Sequence, residues 1–245
     1  MNTSRKTAII VGALFIVGTV AGVLSVIFTG PILNSPDYLD KVAANENQLK
    51  VGALFVLTMG LALAMVPVMM FPILKKQNEA LALGYVVFRG GLETFTYMAT
   101  VISWLLLIVL CRENAKAGAS DIFYFQNLGT FLLEADDQIS HILKIVFPLG
   151  SLMFNYILYQ SRIIPRWLSG WGLIGITLHF AEGLLTMFGL TIFGLPAADA
   201  ETVMALPIFL QEMVFAVWLI VKGFNPSAIA SLSAKTATNE LLSAA

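Results

Sequence analysis

The chain has 245 residues, of which 58% are hydrophobic and only 12% are charged, and its mean hydropathy is +0.84. Soluble domains carry about 25% charged residues, so this sequence has too few charges to cover a water-facing surface. The formal net charge of -1 argues against a nucleic-acid partner, and the single cysteine excludes a disulfide framework and a cysteine-cluster metal site. We therefore expect the lipid bilayer to surround most of the chain.

Six apolar runs are long enough to cross a membrane as helices. A helix needs about 20 predominantly apolar residues to cross a hydrocarbon core of about 30 Å. In chain order the predicted spans are 7–29, 50–74, 79–111, 137–159, 168–192 and 202–222. The sequence thus predicts an all-α fold, an integral membrane bundle of about six transmembrane helices that occupies residues 1–224.

Two further segments do not have the pattern of a span. Residues 122–133 are apolar and aromatic, but Gln126, Asn127 and Gly129 interrupt them. Because this segment is too short to cross the bilayer, we expect an interfacial or re-entrant helix there. Residues 225–245 are rich in Ala, Ser and Thr and have no apolar face, which predicts a disordered cytoplasmic tail.

The distribution of Lys and Arg predicts the orientation. Lys75 and Lys76 lie in one short loop, and Arg162 and Arg166 lie in another. Both loops share a side of the predicted bundle with the two termini. Short cytoplasmic loops carry an excess of Lys and Arg, so we expect the N and C termini to face the cytoplasm.

Ionisable residues occur at the centres of three predicted spans. Placing the midpoint of each span at the bilayer centre puts four of them at nearly the same level: Glu93, His179, Glu182 and Glu212. A fifth, Arg89, lies one helical turn away. A central charge costs about 2.5–3.5 kcal/mol on insertion scales, so such groups face the bundle interior and pair. Arg89 and Glu93 are spaced i,i+4, and His179 and Glu182 i,i+3, so each pair shares one helix face.

Each pair has a structural and a functional interpretation. Arg89 with Glu93 either fixes helix packing, or Arg89 holds an anionic ligand or sets the proton affinity of Glu93. His179 with Glu182 is either a hydrogen-bonded structural pair or part of a binding site. Glu212 has no partner on its own helix, so if it finds none elsewhere it keeps its proton and becomes a candidate proton carrier or general acid.

A metal site has weak support. His and carboxylate ligands together suit zinc or iron, but no HExxH-type spacing occurs, and Arg89 would oppose a bound cation. We therefore predict no cofactor and assign no metal ligands, and whether a metal binds is left open.

The fourth span carries a polar stripe. Its members follow helical spacing and lie on one face: Asp137, His141, Lys144, Ser151 and Asn155. Pro148 predicts a kink in the same helix. This face is a candidate polar path from the outer side. Lys144 and His141 lie near the outer interface, where we expect their side chains to snorkel towards water.

Three segments carry a resemblance to a known family. They are FRGGLE at 88–93, YQSRIIPRWLS at 159–169, and Gln211-Glu212 followed by WLIVKG at 218–223. They resemble an uncharacterised family of bacterial multi-pass membrane proteins, of the domain of unknown function 4386 type, over roughly residues 7–224. The resemblance implies a bacterial cytoplasmic (inner) membrane location and supports Arg89, Glu93 and Glu212 as signature positions. It implies no activity.

Three functions fit these residues. The leading hypothesis is a buried polar site of Arg89, Glu93, His179, Glu182 and Glu212 that serves small-solute or proton-linked transport or binding. The alternatives are an intramembrane enzyme acting on a lipid-like substrate, and a structural or regulatory membrane subunit. The sequence has no P-loop, Rossmann, nucleophile-elbow or zinc-protease motif, so ATP-driven and familiar hydrolytic mechanisms have no support. Substrate, oligomeric state and the choice between enzyme and transporter are left open.

Overall fold

Helices form nearly the whole of the described chain. The computed structural model describes residues 3–116, 122–192 and 194–243, without the side chains of 197, 198 and 236–243, and no strand occurs in this part. The helices are α1 (Thr3–Leu33), α2 (Tyr38–Ala44), α3 (Glu46–Leu74), α4 (Glu79–Asn114), α5 (Ile122–Ser161), α6 (Arg166–Met187), α7 (Ala197–Val221) and α8 (Pro226–Ser243). All of these except α2 and α8 are long and apolar enough to cross a membrane. The predicted all-α fold with six spanning helices is confirmed.

Most of the spanning helices extend beyond the predicted apolar runs. For example, α1 covers Thr3–Leu33 where the run covers 7–29, and α3 begins at Glu46 rather than at residue 50. Pro67, Pro72 and Pro148 lie inside helices, which neighbouring groups in a membrane protein tolerate. Hydropathy identifies the part of a helix that contacts hydrocarbon, whereas backbone hydrogen bonds carry the helix on into polar residues.

The segment 122–133 is not a separate interfacial helix. It forms the first part of α5, a single helix of 40 residues that continues into the predicted fourth span. Gln126 interrupts the apolar pattern but not the helix, and its carbonyl also accepts a hydrogen bond from the Thr130 hydroxyl one turn later at 3.0 Å. The prediction was wrong because polar residues break a hydropathy run without breaking a helix.

The segment after Asn225 is also helical, where composition predicted a disordered tail over 225–245. The Asn225 side chain accepts a hydrogen bond from the backbone N–H of Ser227 at 3.1 Å, and Pro226 occupies the first helical position. Both features favour a helix start. Leu232 is buried, and Lys76 donates to the Ser233 hydroxyl at 3.0 Å. Residues 244–245 lie outside the described part, and the cytoplasmic location stays a prediction.

The chain divides into two compact units. Unit 1 comprises Met1–Ile16, Leu63–Glu93 and Lys144–Ala245, and unit 2 comprises Val17–Ala62 and Thr94–Leu143. Unit 2 has an apolar core that includes Leu49, Val56, Leu107, Ile108 and Cys111. All of the charged clusters described below belong to unit 1.

Aromatic rings form the centre of unit 1. Tyr85 of α4 stacks on Phe154 of α5 with ring centroids 4.5 Å apart. Phe154 in turn meets Phe215 of α7 edge to face at 5.6 Å, and Phe215 meets Phe15 of α1 at 5.5 Å. Such pairs add to the energy of area burial. They connect four helices around the charged residues.

Small residues bring α6 and α7 into close contact. A Cβ placed on Gly175 would lie 2.9 Å from the backbone nitrogen of Ile208 and 3.1 Å from the carbonyl carbon of Pro207. Nearer the cytoplasmic end predicted for these helices, the Gln211 amide donates to the Leu168 carbonyl at 3.2 Å. Small residues at helix crossings allow backbones to approach in this way.

Gly175→Ala is therefore expected to destabilise the protein. The added methyl group meets backbone atoms that cannot rotate away, and overpacking of this kind costs about 1–3 kcal/mol. Gly91→Ala is the matched control, because a Cβ on Gly91 has no neighbour within 4 Å. Thermal unfolding in detergent measures the difference. Equal melting temperatures for the two variants would contradict the close crossing of α6 and α7.

Candidate functional site: two intramembrane charge clusters

Arg89 lies in an irregular turn of α4. Residues Val86–Leu92 form a π-helical segment, which includes Gly90 and Gly91. Helix α5 passes close to this turn, since a Cβ on Gly150 would lie 3.2 Å from the Arg89 backbone nitrogen. π-Helical segments are rare and frequently occur at functional sites, because the wider turn changes the direction of a side chain. Here the segment places the buried Arg89 guanidinium inside unit 1.

The arginine cluster consists of Arg89, Glu93 and Glu212. Arg89 Nη1 lies 3.3 Å from Glu93 Oε1, and Arg89 Nη2 donates to Glu212 Oε1 at 3.2 Å. Arg89 and Glu93 are buried, and the Glu212 side chain is 18% exposed. The guanidinium also lies 4.7 Å from the centroid of the Phe147 ring. Glu212 has no partner on its own helix, α7. In the structure its partner is Arg89 on α4.

The lysine cluster consists of Lys144, Glu182 and Glu201. Lys144 Nζ lies 2.9 Å from Glu201 Oε2 and donates to Glu182 Oε1 at 3.4 Å. The Thr186 hydroxyl donates to the same Glu182 oxygen at 3.2 Å. Only 12% of the Lys144 side chain is exposed. Two carboxylates, Glu182 on α6 and the half-exposed Glu201 on α7, hold its ammonium group, and its snorkelling towards water stays a prediction.

His179 adjoins the lysine cluster without a hydrogen bond to it. Its Nδ1 lies 3.6 Å from Glu182 Oε2, and both atoms are buried and have no hydrogen-bond partner. This separation exceeds the range of a hydrogen bond, so the structure does not contain the hydrogen-bonded pair that the sequence suggests. The His179 ring lies 5.8 Å from the Phe147 ring. Phe147 therefore contacts His179 as well as Arg89 of the arginine cluster.

The carboxylates do not share one level. Glu201 and Glu212 are eleven residues apart on α7, which corresponds to about 16 Å along the axis at about 1.5 Å per residue. Because Glu182 shares Lys144 with Glu201, it lies near the Glu201 end of this interval. The prediction of a common level was wrong for Glu182 and Glu212. Two clusters at different depths replace a single midplane pocket.

The predicted polar path divides between the two units. Ser151 and Asn155 form a buried network with Gln211: the Asn155 amide donates to the Ser151 carbonyl at 3.0 Å, and the Gln211 amide donates to Asn155 Oδ1 at 3.5 Å. Asp137 and His141 belong to unit 2, where they lie 3.5 Å apart and most of the Asp137 side chain is exposed. Of the five stripe residues, Lys144 alone joins a charge cluster.

Three residues at the clusters were absent from the predicted site. Glu201 lies just outside the predicted span 202–222, and neither Phe147 nor Thr186 is among the polar residues that the sequence singles out. The spacing contains a signal for the last two, since Phe147 follows Lys144 at i,i+3 and Thr186 follows Glu182 at i,i+4. Glu201 gives no such signal, because its partner is on another helix.

The described part of the chain contains no group of three His, Cys, Asp or Glu side chains that could hold a metal ion. The acidic residues are instead distributed around two cationic side chains, Arg89 and Lys144. Carboxylate and imidazole groups are types of side chain that can bind and release protons.

The comparisons agree with the resemblance in the sequence. The family model described as Domain of unknown function (DUF4386) matches residues 10–223. This range includes both charge clusters and the segment IPRW at 164–167. No curated protein and no solved structure shows a significant match to the chain. The comparisons therefore supply a family and no activity.

The two carboxylates of the arginine cluster are expected to be coupled in stability. Glu93→Gln or Glu212→Gln alone leaves Arg89 beside one carboxylate. The double substitution removes both carboxylates, and removing the partner from a buried ion pair costs about 3–5 kcal/mol. Unfolding free energies in detergent should therefore show a loss in the double variant that exceeds the sum of the single losses by about 0.5–3 kcal/mol.

Glu79→Gln is the control for this cycle, because Glu79 is an exposed carboxylate on the same helix. Glu79→Gln alone should change the unfolding free energy little. Its effect should be additive with that of Glu93→Gln or Glu212→Gln. If the losses of unfolding free energy from Glu93→Gln and Glu212→Gln simply add in the double variant, Arg89 does not depend on these two carboxylates.

Proposed function

The chain belongs to the DUF4386 family, and we propose that it is a multi-pass membrane protein for proton-linked transport or binding of a small solute. Its proposed location is the bacterial cytoplasmic membrane, with both termini in the cytoplasm. The distribution of Lys and Arg in the short loops supports this orientation. The observation that carries the function is the balance of charge in the two clusters.

Carboxylates outnumber permanent cations in the clusters. Four of them face Arg89 and Lys144: Glu93, Glu182, Glu201 and Glu212. Full ionisation would leave two negative charges in excess. Glu201 is 48% exposed, so water can stabilise part of this charge. The rest of the excess negative charge would lie on buried carboxylates. An uncompensated charge in hydrocarbon is too costly in free energy to persist there. Bound protons supply the compensation, and a balanced structural ion pair would not need them.

His179 and Glu182 supply a place for an exchangeable proton. The two unpartnered atoms, His179 Nδ1 and Glu182 Oε2, face each other at 3.6 Å. A small approach would give a hydrogen bond in which the imidazole donates to the carboxylate. His is suited to this role, because its unperturbed pKa lies close to neutral pH. Loss or gain of this proton also changes the charge that Lys144 experiences.

The charged groups form a series through unit 1. It begins at the half-exposed Glu201 and continues through Lys144 and Glu182 to His179. The Phe147 ring contacts both His179 and Arg89, at 5.8 Å from the imidazole ring and 4.7 Å from the guanidinium. A proton that passes from one cluster to the other needs a water molecule beside this ring or a movement of the ring. Phe147 is therefore the proposed gate of the series.

Coupling to a solute would arise at Arg89. A proton on Glu212 weakens its ion pair with Arg89, which otherwise holds the two groups at 3.2 Å. The guanidinium then has donors to offer to an anionic group, in the forked geometry that suits carboxylates and phosphates. Proton binding and anion binding are thereby linked at one residue.

Glu182→Gln and Glu212→Gln are expected to abolish proton movement while the protein stays folded. Purified protein is reconstituted into liposomes that contain a pH-sensitive dye, a potassium diffusion potential is applied, and the internal pH is followed. Glutamine keeps the shape of the side chain but cannot carry the exchangeable proton. We expect the wild-type rate of internal acidification to fall about 100-fold or more, since a positioned proton-transfer group typically contributes about 10²–10⁴-fold.

Glu79→Gln supplies the control for flux, since it removes a carboxylate from the exposed start of α4. Liposomes that contain the Glu79→Gln variant should acidify at the wild-type rate. If Glu182→Gln and Glu212→Gln also keep that rate, or if wild-type liposomes acidify no faster than empty ones, the proposed proton path through the two clusters is wrong.

A further inference from the structure

A basic pocket lies where the end of α5 and the start of α6 meet the end of α7. Its volume is about 510 Å³, and it is lined by residues of the 162–166 and 222–226 segments together with Trp218. The backbone N–H of Asn225 donates to the Ile163 carbonyl at 2.8 Å, which joins the two segments. Three cationic side chains line the pocket: Arg162, Arg166 and Lys222.

These cations have no carboxylate partner among the described residues. All three are exposed, and no ion pair joins them to Asp or Glu in the ranges that the structure covers. Arg166 donates through Nε to the Tyr159 carbonyl at 3.4 Å and lies 5.1 Å from the Tyr159 ring, which leaves its terminal nitrogens for a ligand. Arg5 differs, since it donates to the Leu219 and Ile220 carbonyls at 3.1 and 2.6 Å.

Arg162 adopts an unfavourable backbone conformation at the pocket. Its φ of 55° lies in the left-handed region, which glycine or asparagine adopts at lower cost. The chain nevertheless places a long cationic side chain at this position, where α5 ends. A requirement for its charge explains an arginine there better than the geometry of the turn does.

An apolar groove continues from the basic pocket along α7. Its volume is about 410 Å³, and it is lined by Met213, Val214, Val217, Trp218, Val221 and Lys222. Trp218 and Lys222 line both the groove and the pocket. The combined surface therefore has a cationic end and a long hydrocarbon-lined end. This arrangement matches a molecule with an anionic head group and an acyl chain.

We infer that this surface binds an anionic glycerophospholipid, with its phosphate against Arg162, Arg166 and Lys222 and an acyl chain along Val217 and Trp218. Basic pockets between membrane helices bind the head groups of anionic lipids. Trp218 fits the same interpretation, because tryptophan is enriched at the level of the head groups. A free phosphate would account for the cations but would leave the adjoining groove unexplained.

Native mass spectrometry of the full chain in detergent tests this site. Dioleoyl phosphatidylglycerol and dioleoyl phosphatidylcholine are added at equal concentration, so that only the head groups differ. We expect phosphatidylglycerol adducts to predominate. Arg166→Gln with Lys222→Gln should weaken phosphatidylglycerol binding by about 25-fold, at about fivefold for each charge removed. Val217→Trp, which fills the groove and keeps every charge, should weaken it as well.

Lys75→Gln is the matched control. It removes one positive charge from a short loop outside the pocket, and phosphatidylglycerol binding should be unchanged. Unchanged binding in the Arg166 and Lys222 double variant, or equal binding of the two lipids by the wild type, would overturn the inference. Displacement of the lipid by inorganic phosphate, together with full binding by Val217→Trp, would show a phosphate site instead of a lipid site. Lys222→Gln alone, expected to bind about fivefold more weakly, repeats the test if the double variant does not fold.

Discussion

An ion in hydrocarbon persists only beside an ion of opposite sign or after it has lost its charge. This constraint accounts for the arrangement of unit 1. Arg89 requires carboxylates from α4 and α7, and Lys144 requires carboxylates from α6 and α7. Each cation thus selects which helices must be neighbours. The apolar surface of the helices gives no such selection, because lipid chains satisfy it as well as another helix does.

The backbone is shaped to meet the same requirement. The π-helical turn at Val86–Leu92 and the close approach of Gly150 bring the Arg89 side chain into the interior. Gly175 allows α6 and α7 to cross with their backbones in contact, and further along the same helices Glu182 and Glu201 meet at Lys144. Local irregularity and small residues therefore place charges that regular helices of larger residues would hold apart.

Sequence reasoning predicted which ionisable residues lie in the interior better than how they are arranged. The six spans follow from hydropathy, and Arg89, Glu93, His179, Glu182 and Glu212 follow from the cost of charge at span centres. The depths did not follow, because the centre of an apolar run is not the centre of the helix: α6 covers Arg166–Met187, whereas the run covers 168–192. Contacts between helices, such as Glu201 with Lys144, leave no periodic signal in one sequence. The helix at Pro226–Ser243 and the continuous α5 were missed because composition describes solvent preference rather than backbone hydrogen bonding.

The difference in depth changes the kind of mechanism that the charges support. A single pocket with all carboxylates at one level would resemble a closed binding site. Two clusters whose α7 carboxylates, Glu201 and Glu212, lie about 16 Å apart along the helix form separate sites, and Phe147 contacts both Arg89 and His179. A purely structural role requires only that charges be paired, and pairing is complete when cations and carboxylates are equal in number. In the proposed function, exchangeable protons compensate the surplus of carboxylates over Arg89 and Lys144, and water stabilises part of the charge at Glu201.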